Sequence, residues 1–551
     1  MRRHLPENAK TILTTLVMAG AAALTAVAFL LATQWAFAWT YLQYAKQSDA
    51  FFLVASFLTI MGSALAVGLL VNLVAPAAAG SGIPQLKAAY WKDTGVIALR
   101  DVVVKFVAGV LSIGGGMSLG REGPTLFMGG GLASNIARWF RVPKHLRRAP
   151  AAVGASASLA AAFNTPLAAI TFILEEILGD LSSRALGRMI LASVMGAFVV
   201  YAFIGPQPAF SLPAVNSVAW LHYLVLPVVA LLTALVGVVF QRSILALRGA
   251  LKGKLVIPRW ALPLVGAFVT WVIGSAVYLA THKTGVFGLG YGDLSEVLNN
   301  HFLWWVAGIM VAAKLVATIF SYSFGGAGGI FSPLLFLGGM GGFFISGLFS
   351  LWIPMSPADT MALAATGMAT CLGTVLRTPL SCLLIVFEMT HQFAMVPGLL
   401  LGLLISTLVA RLAGPHNFYD ALLVQDGHHF HQIHPPTDFR SWKQQPIGSL
   451  ATPRPVTLEA DRGELWHKTI EAHPYRVFPV VRDGRPVGAL IRNTSEVLPV
   501  AVFKPEDPLE AAEAKFLETS AGVVLVVGAD GMLTGLVTLH DLLRAQASLG
   551  D

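Results

Sequence analysis

Apolar runs long enough to cross a bilayer recur along most of this chain, among them residues 11–32, 52–74, 221–240, 261–280, 302–320 and 393–409. Each predicts a membrane-spanning helix, because about 20 helical residues cover a hydrocarbon core of about 30 Å. Other apolar segments are shorter and cut by glycine and proline, notably 114–131 and 325–342. Broken segments at matching places in two halves point to a binding site near the membrane midplane. Close packing through small residues accounts for many of the 54 glycines. It does not account for glycine clusters just ahead of helix starts in both halves. After about residue 425 the pattern changes to short β-rich runs and polar turns, which predict a soluble α/β tail.

The two halves are an internal repeat. Gly120-Arg121-Glu122-Gly123-Pro124-Thr125-Leu126-Phe127-Met128-Gly129-Gly130 aligns without a gap on Gly329-Ile330-Phe331-Ser332-Pro333-Leu334-Leu335-Phe336-Leu337-Gly338-Gly339. Downstream, Thr165-Pro166-Leu167 leading to Glu175-Glu176 aligns on Thr378-Pro379-Leu380 leading to Glu388-Met389. Two carboxylates break the relation: Glu122 stands opposite Phe331, and Glu176 opposite Met389. A shared scaffold does not explain acids added to one half only, in apolar surroundings where charge is costly. Glu175 matches Glu388, so that pair reads as scaffold, satisfying helix-end donors.

Composition agrees with a membrane protein: 55% hydrophobic and 12% charged residues, with a mean hydropathy of +0.69. The basic start Met1-Arg2-Arg3-His4 and the following apolar run have some features of a signal peptide, but the run is too long for one. It is expected to be a retained first helix with its basic end in the cytoplasm, and the net charge of +8 fits that anchoring. The basic cluster from Arg138 to Arg148 is expected to be a loop at the membrane surface, not a nucleic-acid site. The two cysteines, Cys371 and Cys382, lie in apolar sequence, which argues against a disulfide framework or thiolate metal site.

These patterns divide the chain into a membrane domain, 1–425, with halves at about 10–205 and 215–425. A polar linker follows at 426–445, then tail repeats at 446–498 and 499–545. The linker holds His428, His429, His431 and His434 with no acidic or cysteine partner at recognisable spacing, so no metal site is expected. In the tail, Phe478-Pro479-Val480-Val481-Arg482-Asp483-Gly484 pairs with Leu525-Val526-Val527-Gly528-Ala529-Asp530-Gly531, and Gly488 with Gly535. Asp-Gly between β-rich runs is a hairpin signal, and residues 508–519 predict a helix ahead of the second hairpin.

At this point the chain resembles a known family. Gly80-Ser81-Gly82-Ile83-Pro84, Gly120-Arg121-Glu122-Gly123-Pro124 and Gly328-Gly329-Ile330-Phe331-Ser332-Pro333 resemble the three signature segments of the CLC chloride channels and transporters, in the family's order. Tyr419, in Asn417-Phe418-Tyr419-Asp420, is a fourth match, and the resemblance covers about residues 10–425. The tail resembles a tandem CBS-domain pair, through the repeated hairpin and Gly535-Leu536-Val537-Thr538-Leu539-His540-Asp541. The fold class expected is therefore a multi-pass all-α membrane protein with an inverted-topology repeat and broken helices, followed by a soluble α/β tandem CBS module. The resemblance also implies a homodimer with one pathway per subunit, in a cell membrane such as a bacterial inner membrane, with both termini cytoplasmic.

The same residues make physical sense of an anion path. A desolvated chloride needs hydrogen-bond donors but little full positive charge if it must also leave, and helix N-termini supply that. By resemblance, the hydroxyls of Ser81 and Tyr419 and the backbone N–H groups of Ile330 and Phe331 hold a central chloride, while Gly80, Gly82 and Gly123 let backbone approach it. The resemblance also implies that serine at 81 favours chloride over nitrate, since the family's nitrate-preferring members tend to have proline there. Glu122 corresponds to the family's external gate and proton acceptor: charged, it occupies an anion site; protonated, it can swing away. Glu176 corresponds to the inner proton-transfer glutamate of the exchangers. One departure is Phe127, where many members have glutamine, which leaves open what stabilises the swung-out Glu122 and how strict the coupling is.

The expected function is chloride transport coupled to proton counter-transport. The alternative is a passive voltage- or pH-gated chloride channel of the same fold, which needs no working Glu176. Enzyme chemistry is not expected, since the His-rich linker is the only candidate metal site. In the tail, Thr538 and Asp541 could bind the ribose of an adenine nucleotide. The first repeat has Ile491 and Thr494 at those positions, so at most one such site is expected, with no other cofactor.

Overall fold

The computed structural model describes residues 7–93, 95–143, 147–179, 186–210, 212–213, 220, 222–253, 257–428, 446–494, 496–519 and 521–542. The chain divides into two compact units, residues 1–433 and 434–551. The first half of the membrane unit comprises α1 (Glu7–Trp39), α2 (Tyr41–Tyr44), α3 (Asp49–Leu73), α4 (Ile83–Lys92), α5 (Leu99–Gly114), α6 (Glu122–Trp139), α7 (Arg148–Phe163), α8 (Pro166–Phe172) and α9 (Leu186–Phe203). The second comprises α10 (His222–Gly253), α11 (Leu262–Thr281), α12 (Tyr291–Leu298), α13 (Trp304–Ser323), α14 (Phe331–Phe349), α15 (Pro357–Leu376), α16 (Pro379–Thr390) and α17 (Val396–Ala413), and α18 (Phe418–Gln425) follows.

Among the described residues, nine helical stretches are long and apolar enough to cross a membrane. Each expected span lies on one of them, overrunning it by at most two residues, and several helices outrun their apolar core. The first ends in Trp35 and Trp39, exposed and stacked with ring centroids 5.8 Å apart, as aromatic residues at a membrane–water boundary do.

Reciprocal contacts join the halves. Gly120 and Gly329 form an antiparallel bridge, each N–H donating to the other's carbonyl at 2.7 and 2.6 Å. The Glu388 carboxylate accepts from Leu167 and Ala168 N–H, at 3.0 and 2.7 Å, at the start of α8. Glu175 accepts from Leu380 and Ser381 N–H, at 3.3 and 2.8 Å, at the start of α16. Each half thus satisfies the orphan N–H groups of a broken helix in the other, as a local two-fold between equivalent segments requires. Helix contact repeats as well: a Cβ on Gly154 would lie 2.1 Å from the Gly129 carbonyl oxygen, and one on Gly367 2.1 Å from that of Gly338. Only glycine permits that approach of α6 to α7 and of α14 to α15.

The repeat also breaks in shape. Beyond α8 the chain continues into a π-helical turn, Ile173–Leu178, which carries both Glu175 and Glu176. Its counterpart α16 is α-helical throughout. Such turns are rare and concentrate at functional sites.

The second unit contains β1 (Thr452–Pro453), β2 (Leu458–Glu459), α19 (Trp466–Ala472), β3 (Val477–Arg482), β4 (Arg485–Ile491), β5 (Val497–Leu498), β6 (Val502–Phe503), α20 (Leu509–Glu518), β7 (Val523–Val527) and β8 (Leu533–Thr538). They form two four-stranded sheets, ordered β2-β3-β4-β5 and β1-β8-β7-β6. Asp483 and Gly484, at φ 49° and 73°, make the expected two-residue turn between β3 and β4. A division at residue 498 is not a division between sheets. Strand β1, from the first repeat, pairs antiparallel with β8, Thr452 opposite Leu536 and Pro453 opposite Gly535.

Candidate anion and proton pathway

Glu122 opens α6 and is fully buried. Its carboxylate does not turn back to Arg121, whose guanidinium donates to the Ala162 carbonyl at 3.1 Å and lies 5.5 Å from the centre of the Tyr291 ring. It reaches across the glycine bridge to the other half. Oε2 accepts from the backbone N–H of Ser332 at 3.4 Å, in the first turn of α14. Oε1 accepts from the Tyr291 hydroxyl at 3.1 Å and from the Ser332 hydroxyl. The carboxylate therefore sits at the N-terminus of α14, where free N–H groups and the helix dipole favour an anion. A Cβ on Gly120 would stand 2.6 Å from Oε2, so glycine there keeps the position open.

A second constellation surrounds Ser81. Gly82, at φ +100°, caps α4, and its N–H donates to the Gln85 side-chain oxygen at 3.0 Å. A Cβ on Gly123 would lie 2.2 Å from Ser81 Oγ, so the starts of α4 and α6 meet at this hydroxyl. Tyr419, near the start of α18, neighbours Ser81. Both side chains are completely buried, and among the described residues neither hydroxyl makes a hydrogen bond of good geometry, although the two lie side by side. Buried hydroxyls are almost always well paired; two neighbouring hydroxyls without a well-formed bond fit an anion held between them. Ile330 and Phe331 begin α14, whose first N–H groups have no intrahelical acceptor. The Phe331 ring packs 5.2 Å from Phe172 and 6.3 Å from Phe163.

Glu176 is buried on the π-helical turn. Oε1 accepts from Lys87 Nζ at 2.9 Å, and Oε2 from the Asn417 side-chain amide at 2.9 Å. Lys87, buried on α4, also donates to Asp420 at 2.7 Å. Ion pairs this deep are held only when well hydrogen-bonded, and this one has donors on both Glu176 oxygens.

Phe127 has a structural explanation. A Cβ on Gly82 would meet Phe127 Cβ at 2.8 Å, and Lys105 Nζ lies 6.0 Å from the phenyl centre. Its twin Phe336 stands likewise against Gly290 and Lys314, with Nζ 5.2 Å from the ring. Both lysines are buried and donate to loop carbonyls, Lys105 to Ala78 at 3.0 Å and to Gly80, Lys314 to Gly285 at 2.9 Å and Gly288 at 2.7 Å. Phe127 thus braces the turn ahead of α4, while Tyr291 and Ser332 hold Glu122.

Tyr291 and Lys87 do not stand out in the sequence, and Ser332, Asn417 and Asp420 appear there only as motif neighbours with no role of their own. For Lys87 a signal existed: an ionisable residue in the first turns of a helix that follows a glycine-rich motif. For Tyr291 it was weaker: Gly290, at φ +79°, caps α12 as Gly82 caps α4.

In the tail, Thr538 and Asp541 are engaged with each other. The Thr538 N–H and hydroxyl donate to Asp541 Oδ2 at 2.9 and 2.6 Å, and Asp541 N–H donates to Thr538 Oγ1 at 3.2 Å. Of the linker histidines, His428 is 3.1 Å from Lys92; His429, His431 and His434 lie outside the described residues. Cys371 and Cys382 are buried free thiols.

Helix starts converging on buried acids and buried hydroxyls define a membrane protein that handles anions. The family model "voltage gated chloride channel" matches residues 62–411, and a CBS-domain model matches 495–548. The chain belongs to the voltage gated chloride channel family. It is 30% identical over 440 residues to the H(+)/Cl(-) exchange transporter ClcA of Cronobacter sakazakii, covering 77% of this chain and 92% of the relative. With the ClcA of Vibrio campbellii it shares 30% over 357 residues, 64% of this chain and 76% of the relative. The structure of a slow cyanobacterial Cl−/H+ antiporter superposes with a TM-score of 0.68 at 24% identity, over 77% of this chain and 99% of that one. A eukaryotic CLC transporter superposes at 0.63 and 18% identity, over 96% and 97%. These structural likenesses establish the fold.

Proposed function

We propose that this protein exchanges chloride for protons across a membrane. One observation carries the reading: the Glu122 carboxylate occupies an anion position at the N-terminus of α14, and a second acid, Glu176, is buried in the same unit. Neither has a carboxylate at the matching position of the other half. Charged, Glu122 competes with chloride for the α14 terminus. Protonated, it loses most of its attraction to the helix end and leaves the position to chloride, so anion movement alternates with proton uptake. Glu176 exchanges its proton with the inner side. The relatives named above are exchange transporters, which supports this reading over the passive channel and over enzyme chemistry.

The working unit is a homodimer in a lipid bilayer, one pathway per subunit, with cytoplasmic termini. Ser81, Tyr419 and the first N–H groups of α14 hold the transported chloride, with Gly80, Gly82 and Gly123 admitting it. The tail binds an adenine nucleotide through Thr538 and Asp541 once their mutual hydrogen bonds open. Calorimetric titration of the full chain with ATP tests that point, and the absence of heat at millimolar nucleotide would remove it.

Exchange itself is tested in proteoliposomes under an outward chloride gradient, with external pH recorded. Wild type drives protons uphill. Glu176→Gln passes chloride with proton movement lost. Chloride flux without proton movement in wild type would leave the channel.

A further inference from the structure

We propose that Asp420 and Lys87 are proton-transfer residues, forming with Glu176 a relay that loads the inner proton site. The inference rests on the exchange reading above and gives its inner acid a route to solvent. A single ammonium nitrogen, Lys87 Nζ, donates at 2.9 Å to Glu176 and at 2.7 Å to Asp420. The three side chains come from three elements: α4, the π-helical turn and α18. Exposure is graded along them, with side-chain accessibility 8% at Asp420 and 1% at both Lys87 and Glu176. Asp420 is thus the member nearest water. It lies in the first turn of α18, whose far end reaches Asp426, paired with surface Arg248 and Lys252.

Two carboxylates flank the one ammonium, and the Arg377 guanidinium also acts on Asp420. A proton from inner water forms an O–H bond on Asp420. The Nζ–H bond toward Glu176 then breaks as the Glu176 O–H bond forms, leaving a neutral amine beside a neutral acid. That state avoids the desolvation cost of an ion pair. The amine takes the proton from Asp420, which becomes a carboxylate again. One proton has entered and one has reached Glu176; no other atom has changed partners. Asn417 fixes both ends: its amide donates to Glu176, and its side-chain oxygen accepts from Asp420 N–H at 2.7 Å.

Lysine and arginine separate the relay from a merely electrostatic role. Arginine keeps the cation but does not release a proton. The experiment compares Lys87→Arg, Asp420→Asn and Asp420→Glu with wild type, reading chloride and proton flux in the same proteoliposomes. Lys87→Arg and Asp420→Asn are expected to lose proton flux on the order of 10²-fold, the low end for a positioned proton-transfer group, while chloride flux persists and shows that the protein is folded. Asp420→Glu restores proton flux. Wild-type coupling in Lys87→Arg, or in Asp420→Asn, would overturn the relay and leave Lys87 as a charge that positions Glu176. Should arginine prove too large to fold, the Asn–Glu pair at 420 decides alone. A wild type that moves chloride but no protons would overturn the exchange reading, and the relay with it.

Discussion

At the scale of single residues, the structure places the gate carboxylate in a specific grip. Tyr291 donates to Glu122, and Ser332 donates through both its N–H and its hydroxyl. A hydrogen bond to a charged group contributes about 1.5–3 kcal/mol, and about 1.4 kcal/mol is a tenfold change in population. Tyr291→Phe is therefore expected to release the carboxylate more often and raise chloride turnover by about tenfold, measured as chloride efflux at neutral pH. An unchanged rate would mean the phenol does not restrain the gate. Glu122 and Glu176 were legible because a repeat makes an unmatched acid conspicuous. Their partners were not, because Tyr291, Ser332, Lys87 and Asp420 come from segments far apart in sequence, and no spacing rule joins them.

At the scale of elements, the broken helices depend on carboxylates from the opposite half. Glu388 binds the start of α8 and Glu175 the start of α16. Leaving buried N–H groups unpaired costs about 1–3 kcal/mol. Glu388→Ala is expected to lower the thermal unfolding temperature in detergent while leaving the proton-to-chloride ratio intact. A changed ratio would make Glu388 a transport residue. The spans and their breaks were readable from apolar length and glycine clusters, and so was the scaffold pair, from its match across the repeat. The π-helical turn under Glu176 was not. One extra residue per turn leaves no mark on a short apolar run, and the turn is fixed by what packs around it. Sheet membership in the tail escaped for a related reason: β1 is two residues long, and its pairing with β8 is a long-range choice.

At the scale of the whole molecule, the membrane unit contains every group assigned to anion and proton movement, and the tail forms its own two sheets and core. A chain ending at Ile433 is accordingly expected to retain coupled transport in liposomes; loss of chloride flux in a folded truncated protein would make the tail part of the pathway. The division at about residue 425 was visible as a change in hydrophobic pattern, because membrane and aqueous segments obey different solvation rules. What joins the parts into an exchanger is coupling, and its most direct measure is the voltage at which current reverses in a planar bilayer. With chloride gradient fixed and pH gradient varied, exchange predicts that the wild-type reversal voltage moves with the pH gradient and departs from the chloride equilibrium potential. A reversal that stays at the chloride potential at every pH gradient would contradict the account.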